Sequence, residues 1–351
     1  MKIKPMTKFA ILALSLVLVA CAGGGSEEAG CPAIDGREIN VVATTPMIGE
    51  FVSQVGGENI NLTVLMPPEA NPHTYEPAPQ DAGTIAEADL VFYTGLLYEP
   101  AALVKLLENS ACSTDILSEV GESVFPIEFK EGGHDDHDDH DDEEGHDDHD
   151  DEEGHDDEEG HDDEEGHDDH EGHNHGAYDP HFWFDPSRVA YAAEYIESRL
   201  IQFDPENESS YKSSADSFVS ELNDLTKQVS ELISTVPSQN RKLITTHESL
   251  GYLEAKFGLE VLSTIIPSLN SANEISPSDL AGVIDVIEDN NVKVIFIESE
   301  APSVYSETIV AETGIKPVTG LYVETLKPGQ SYSEFLISNV TLITENLQDT
   351  D

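Results

Sequence analysis

One segment constrains the fold of this chain more than any other. In residues 205–235 (PENESSYKSSADSFVSELNDLTKQVSELIST) apolar side chains recur at Tyr211, Ala215, Phe218, Leu222, Leu225, Val229 and Leu232. The steps alternate four and three, which lays one continuous apolar stripe along about eight turns of helix. A coiled-coil dimer carries the same pattern. A single such helix between two globular flanks reads more simply as a rigid strut packed on both.

The flanks share one rhythm. EINVVATT (38–45), INLTVLM (60–66) and LVFYTG (90–95) are β-branched, strand-like runs, with MIGEFVSQVG and QDAGTIAEAD between them at helical spacing. After the long segment, RKLITTH (241–247), LEVLSTI (259–265) and VKVIFIE (292–298) repeat the pattern. The helix SPSDLAGVIDVIEDN opens on Ser276 as N-cap and Pro277 at its first position. Strand, helix, strand in series predicts parallel sheets covered on both faces. The expected fold is therefore α/β, two lobes with parallel sheets joined by a long backbone helix. The lobes are assigned to 37–185 and 237–351, with linking helices over 186–236.

The N-terminal end is read as a targeting segment. Lys2, Lys4 and Lys8 precede the apolar run FAILALSLVLVA (9–20), which is short for a membrane span. LVAC at 18–21 has the pattern of a lipoprotein signal, so 1–20 would be removed and Cys21 would carry lipid. Residues 21–36 then form a tether, and the body stands outside the cytoplasmic membrane. Cys31 and Cys112 remain, an even pair in an oxidising compartment. Spacing alone leaves a disulfide and two free thiols both open.

A formal net charge of −55 excludes nucleic acid as a natural partner. The charge is unevenly spread: residues 134–175 hold 25 acidic side chains and no Lys or Arg. The low-complexity stretch 132–176 cannot bury a core and is expected to be a disordered insertion in the first lobe. Its histidines are His134, His137, His140, His146, His149, His155, His161, His167, His170, His173 and His175. Most stand beside carboxylates, so nitrogen and oxygen donors occur together, which suits collection of a borderline cation such as zinc. The plainer reading is an acidic solubility segment.

Only three histidines lie elsewhere: His73 in NPHTYEP, His181 in DPHFWFDP and His247 in TTHESLGYL. Each alone would pass for an ordinary core or surface residue. Their joint placement differs. His73 follows a strand, His247 ends one, and His181 sits in a proline-bounded loop. Ligands in open α/β sheets bind at the carboxyl ends of strands. Three neutral imidazoles can hold zinc but bring no charge, so an anionic oxygen is wanted. Glu298 and Glu324 both stand near strand ends, and the residues alone do not choose between them.

NPHTYEPAPQDAGTIAEADLVFYTGLLYEP, DPHFWFDP, TTHESLGYL and VKVIFIESEAPS, in this order, resemble the metal-binding solute-binding lipoproteins of ABC transporters, the ZnuA/TroA-like family. The resemblance covers nearly the whole mature chain, interrupted by the His-rich insertion that zinc-specific members often carry. It implies two α/β lobes joined by a backbone helix, with His73 and His181 from the first lobe and His247 from the second. The fourth ligand of the family is usually an aspartate in a YxDxL-like stretch. YVETL here offers Glu324, one methylene longer, which leaves one-oxygen, two-oxygen and water-completed binding open. Glu298 matches a recurring family glutamate and is implied to orient a ligand imidazole. Manganese members commonly carry a carboxylate where this chain has His247, so zinc is expected and manganese is the lesser alternative.

The expected function is an extracytoplasmic zinc receptor, monomeric and lipid-anchored, delivering Zn2+ to an ABC permease. A surface zinc store or chaperone would use the same residues without a permease. A zinc hydrolase would need an open coordination position, with Glu248 or Glu298 as base. The sequence has neither HExxH nor GxSxG, and no enzymatic activity is expected.

Overall fold

The computed structural model describes Cys31, Ile34 and residues 36–129, 178–300 and 304–348. The signal segment, Cys21 and all the histidines from 134 to 175 lie outside the described residues.

In the first lobe β1 (Ile39–Ala43), β2 (Ile60–Val64), β3 (Leu90–Tyr93) and β4 (Leu117–Glu119) form one parallel sheet in the order β2-β1-β3-β4. The connecting helices are α1 (Pro46–Gly56), α2 (Pro79–Ala86) and α3 (Ala101–Ser110). Thr45 caps α1, its side chain accepting the Ile48 N–H, and Pro46 follows where no N–H is needed. The chain then enters α4 (Pro186–Phe203) and the long α5 (Glu208–Ser234).

The second lobe holds β5 (Lys242–His247), α6 (Gly251–Phe257), β6 (Glu260–Ile266), α7 (Pro277–Asn290), β7 (Val294–Glu298), α8 (Val304–Thr313), β8 (Lys316–Leu321) and α9 (Tyr332–Gln348). β5 pairs in parallel with β6, and β7 with β8. β5 and β7 run alongside each other and are tied by side chains at their C-terminal ends. The Glu298 N–H donates to Thr246 Oγ1 (3.0 Å), and the His247 N–H donates to Glu298 Oε1 (3.1 Å). The Ser276 cap of α7 is a reciprocal box with Asp279.

Alternation along the strands shows why both sheet faces are covered. Ile39, Val41 and Ala43 of β1 and Leu90 and Phe92 of β3 face one core, while Val42 and Val91 face another. In the second lobe Leu243, Val294 and Phe296 join the first of these cores, whereas Ile244, Ile295 and Ile297 face a third. The shared core contains the stripe of α5 and residues of both lobes. The long helix is thus a strut whose apolar face is buried within the chain. Its last buried position is Ile233, while the predicted Leu232 is half-buried. The helix also starts later than the pattern suggests, because Pro205–Asn207 form a separate 3₁₀ turn.

Cys31 and Cys112 are joined by a disulfide, with Cα atoms 5.1 Å apart. Among the described residues no helix is long and apolar enough to cross a membrane.

Candidate metal centre

Four segments converge between the lobes. His73 lies in the 3₁₀ turn Pro72–Thr74 beyond β2, where the Asn71 side chain accepts the His73 N–H (2.9 Å). His181 caps the 3₁₀ turn Phe182–Phe184, and His247 is the last residue of β5. Glu324 stands three residues beyond β8. One donor atom from each of these four residues lies within 4.8 Å of all the others. Donors about 2.0–2.1 Å from a tetrahedral zinc sit ~3.3 Å from one another, so small side-chain shifts would close the set on an ion.

Both fully buried imidazoles are held from behind. Nδ1 of His181 is 2.8 Å from Asp179 Oδ1, which also accepts the His181 backbone N–H. Nδ1 of His247 is 2.6 Å from Glu298 Oε2. These carboxylates leave each Nε2 facing the centre. Neither Nε2 has a hydrogen-bond partner, although both atoms are buried. Glu324 Oε1 does lie 2.9 Å from the His247 Nε2, as an ion pair without hydrogen-bond alignment. An inward-facing, unsatisfied Nε2 held by a carboxylate on Nδ1 is the arrangement of a metal-ligating histidine. His73 presents its Nε2 3.1 Å from Glu324 Oε1.

The electrostatics follow from burial against charge. Burial opposes a charge on His181, but Glu324 and Asp179 raise its pKa to about 9. His247 is likewise raised well above its ordinary value, burial being outweighed by Glu298 and Glu324. Burial alone would raise Glu324, yet the three imidazoles hold its carboxyl well below the usual carboxylate range.

The structure brings together His73, His181, His247 and Glu324, and it sets Glu298 behind His247. It also adds residues that the sequence reading left unassigned. Asp179 belongs to the quoted DPHFWFDP, and its place two residues before His181 was the available signal. Tyr98 donates to Glu324 Oε2 (2.9 Å) and to the Glu324 backbone O (3.0 Å). Trp183 Nε1 donates to the Val323 O (2.8 Å). Glu300 Oε1 accepts the backbone N–H groups of Val323, Glu324 and Thr325 at 3.0, 3.2 and 3.4 Å. Burial, with the nearby Glu324 charge, pushes Glu300 up to about 8. No local pattern signals these last three, since each reaches Glu324's loop only through tertiary structure.

A family model described as zinc-uptake complex component A, periplasmic, matches residues 41–346. The chain belongs to this family. It is a metal-binding receptor of an ABC importer. The high-affinity zinc uptake system protein ZnuA of Bacillus subtilis is 27% identical over 349 residues, covering 97% of this chain and 96% of that one. The manganese ABC transporter substrate-binding lipoprotein PsaA of Streptococcus anginosus is 25% identical over 354 residues, covering 98% and 99%. The periplasmic zinc binding protein TroA from Treponema pallidum superposes with a TM-score of 0.70 at 20% identity, covering 88% of this chain and 99% of that one, which shows the shared fold.

Proposed function

We propose that this chain is an extracytoplasmic zinc receptor that hands Zn2+ to the permease of an ABC importer. His73, His181 and His247 supply three nitrogens and Glu324 supplies the anionic oxygen. The observation that carries this reading is the pair of buried Nε2 atoms of His181 and His247, both without a hydrogen-bond partner and both facing one carboxylate. A donor set of three nitrogens and one oxygen suits zinc, whereas manganese favours carboxylate, carbonyl and water oxygens. Relatives named for manganese favour that cation as the second reading.

In this reading 37–185 and 237–351 are the two lobes and 186–236 the linking helices. Residues 1–20 are a signal, lipid on Cys21 anchors the tether 21–36, and the receptor works as a monomer. The histidines of 134–175 collect metal.

Mass spectrometry of the purified protein, with chelator competition for zinc and manganese, tests the proposal. One equivalent of zinc, bound more tightly than manganese, is expected. Tighter binding of manganese would overturn the choice of cargo.

A further inference from the structure

We propose that Tyr98 is a positioning residue that limits Glu324 to one metal-facing oxygen and so sets the preference of the site for a four-coordinate cation. The inference rests on the receptor reading given above.

Glu324 presents two unequal oxygens. Oε1 faces imidazole nitrogens, 3.1 Å from His73 Nε2 and 2.9 Å from His247 Nε2. Oε2 is 2.9 Å from the Tyr98 hydroxyl and 3.5 Å from His181 Nε2. The phenol has one hydrogen, shared between Oε2 and the Glu324 backbone O. The charged acceptor makes the stronger bond. That bond draws charge from Oε2 and fixes the roll of the carboxylate, leaving Oε1 as the free donor. Both side chains are buried, so the bond is made away from bulk water.

Tyr98 is itself held in place. Gly95, Leu96 and Leu97 are all left-handed, with φ of 77°, 53° and 61°. Left-handed backbone is disfavoured at a non-glycine residue and persists where the surroundings enforce it. Two carboxylates hold this turn: Glu99 accepts the Thr44 hydroxyl (2.7 Å) and the Thr94 and Gly95 N–H groups (2.7 and 2.9 Å), and Glu119 Oε1 accepts the Leu96 N–H (2.9 Å). The Tyr98 ring then lies edge-on to His73, His181 and Trp183, with centroids 5.1, 5.9 and 5.3 Å away.

A glutamate carboxylate stands at the end of three rotatable bonds, which gives it the freedom to swing both oxygens onto a metal. The Tyr98 hydrogen bond removes that freedom. Four donors suit zinc, while an octahedral cation such as manganese lacks the extra oxygens it needs.

The test is Tyr98→Phe in the full chain, which keeps the ring and removes only the hydroxyl. X-ray absorption of the zinc-loaded wild type should give four ligands, and cobalt(II) loading should give the intense visible bands of a tetrahedral site. In Y98F the ligand number should rise to five and the cobalt bands should weaken several-fold. The zinc-over-manganese affinity ratio should fall about tenfold, the order expected for losing one hydrogen bond to a charged group. A wild-type site with five or more ligands overturns the proposal whether or not Y98F folds. Tight zinc binding with an unchanged cobalt spectrum and ratio in Y98F overturns the role of Tyr98 alone. A wild type that binds no metal tightly overturns the receptor reading, and this inference with it.

Discussion

Glu298 grips His247 twice: its Oε1 accepts the backbone N–H at 3.1 Å and its Oε2 meets Nδ1 at 2.6 Å. One carboxylate therefore fixes both the strand end and the ring it carries. Asp179 does the same for His181 from two residues away. In both cases the carboxylate holds Nδ1 and turns Nε2 toward Glu324.

The first prediction separates the two glutamates. Glu324 faces the imidazoles directly, while Glu298 acts through His247, so Glu324→Ala should weaken zinc more than Glu298→Ala. Losing an orienting partner of this kind costs roughly 10–100-fold in affinity. Chelator competition on the two variants measures the order, and the reverse order would contradict the assignment.

Replacing His73, His181 or His247 with Ala should abolish tight zinc binding in each case. The metal-free variants should differ in stability. His181 and His247 are fully buried and paired with carboxylates, so their loss leaves Asp179 or Glu298 short of a partner, at roughly 1–3 kcal/mol. The His73 side chain is also nearly buried, at 3% exposed, but Glu324 keeps Tyr98 and His247 when it is lost, so its loss should cost less. Denaturant unfolding of the three metal-free variants checks this, and an equal loss in all three would count against the buried pairings.

Zinc binding should release protons. With its pKa raised to about 9, His181 is protonated near pH 7.5 in the metal-free protein, and so is His247, which is raised well above its ordinary value. An imidazole in the unfolded chain titrates near ~6.5. The stability these raised groups contribute is fully present below ~6.5 and is lost as pH climbs through the folded values. Metal-free protein should therefore lose thermal stability as pH rises from about 6.5 through about 9. A metal must displace both protons, so calorimetry in buffers of different ionisation enthalpy should show about two released. No buffer dependence would rule out this protonation state.

Deleting residues 134–175 should lower zinc stoichiometry from several ions to one, with the tight affinity nearly unchanged. The prediction rests on eleven histidines interleaved with carboxylates in that stretch. Calorimetry on both chains measures it. A shortened chain that still takes up several zinc ions, or loses its tight site, would refute the collecting role.

The sequence by itself determined what depends on neighbours a few residues apart. Strand–helix alternation, the cap at Ser276 and the stripe of α5 are local patterns. Single histidines in a chain that otherwise confines them to one stretch were equally legible. Short or irregular elements were not: β4 has three residues, and β8 (KPVTGL) contains Pro and Gly, which weaken any strand signal. Tertiary structure decided the rest. Glu298 and Glu324 look alike in sequence, and only the side-by-side packing of β5 and β7 puts Glu298 behind His247. Tyr98 reaches Glu324 across 226 residues, and Cys31 reaches Cys112 across 81. Periodicity reports which face of an element is buried. It carries no information on which distant side chain will stand opposite, because that is set by how the two lobes close around their shared core.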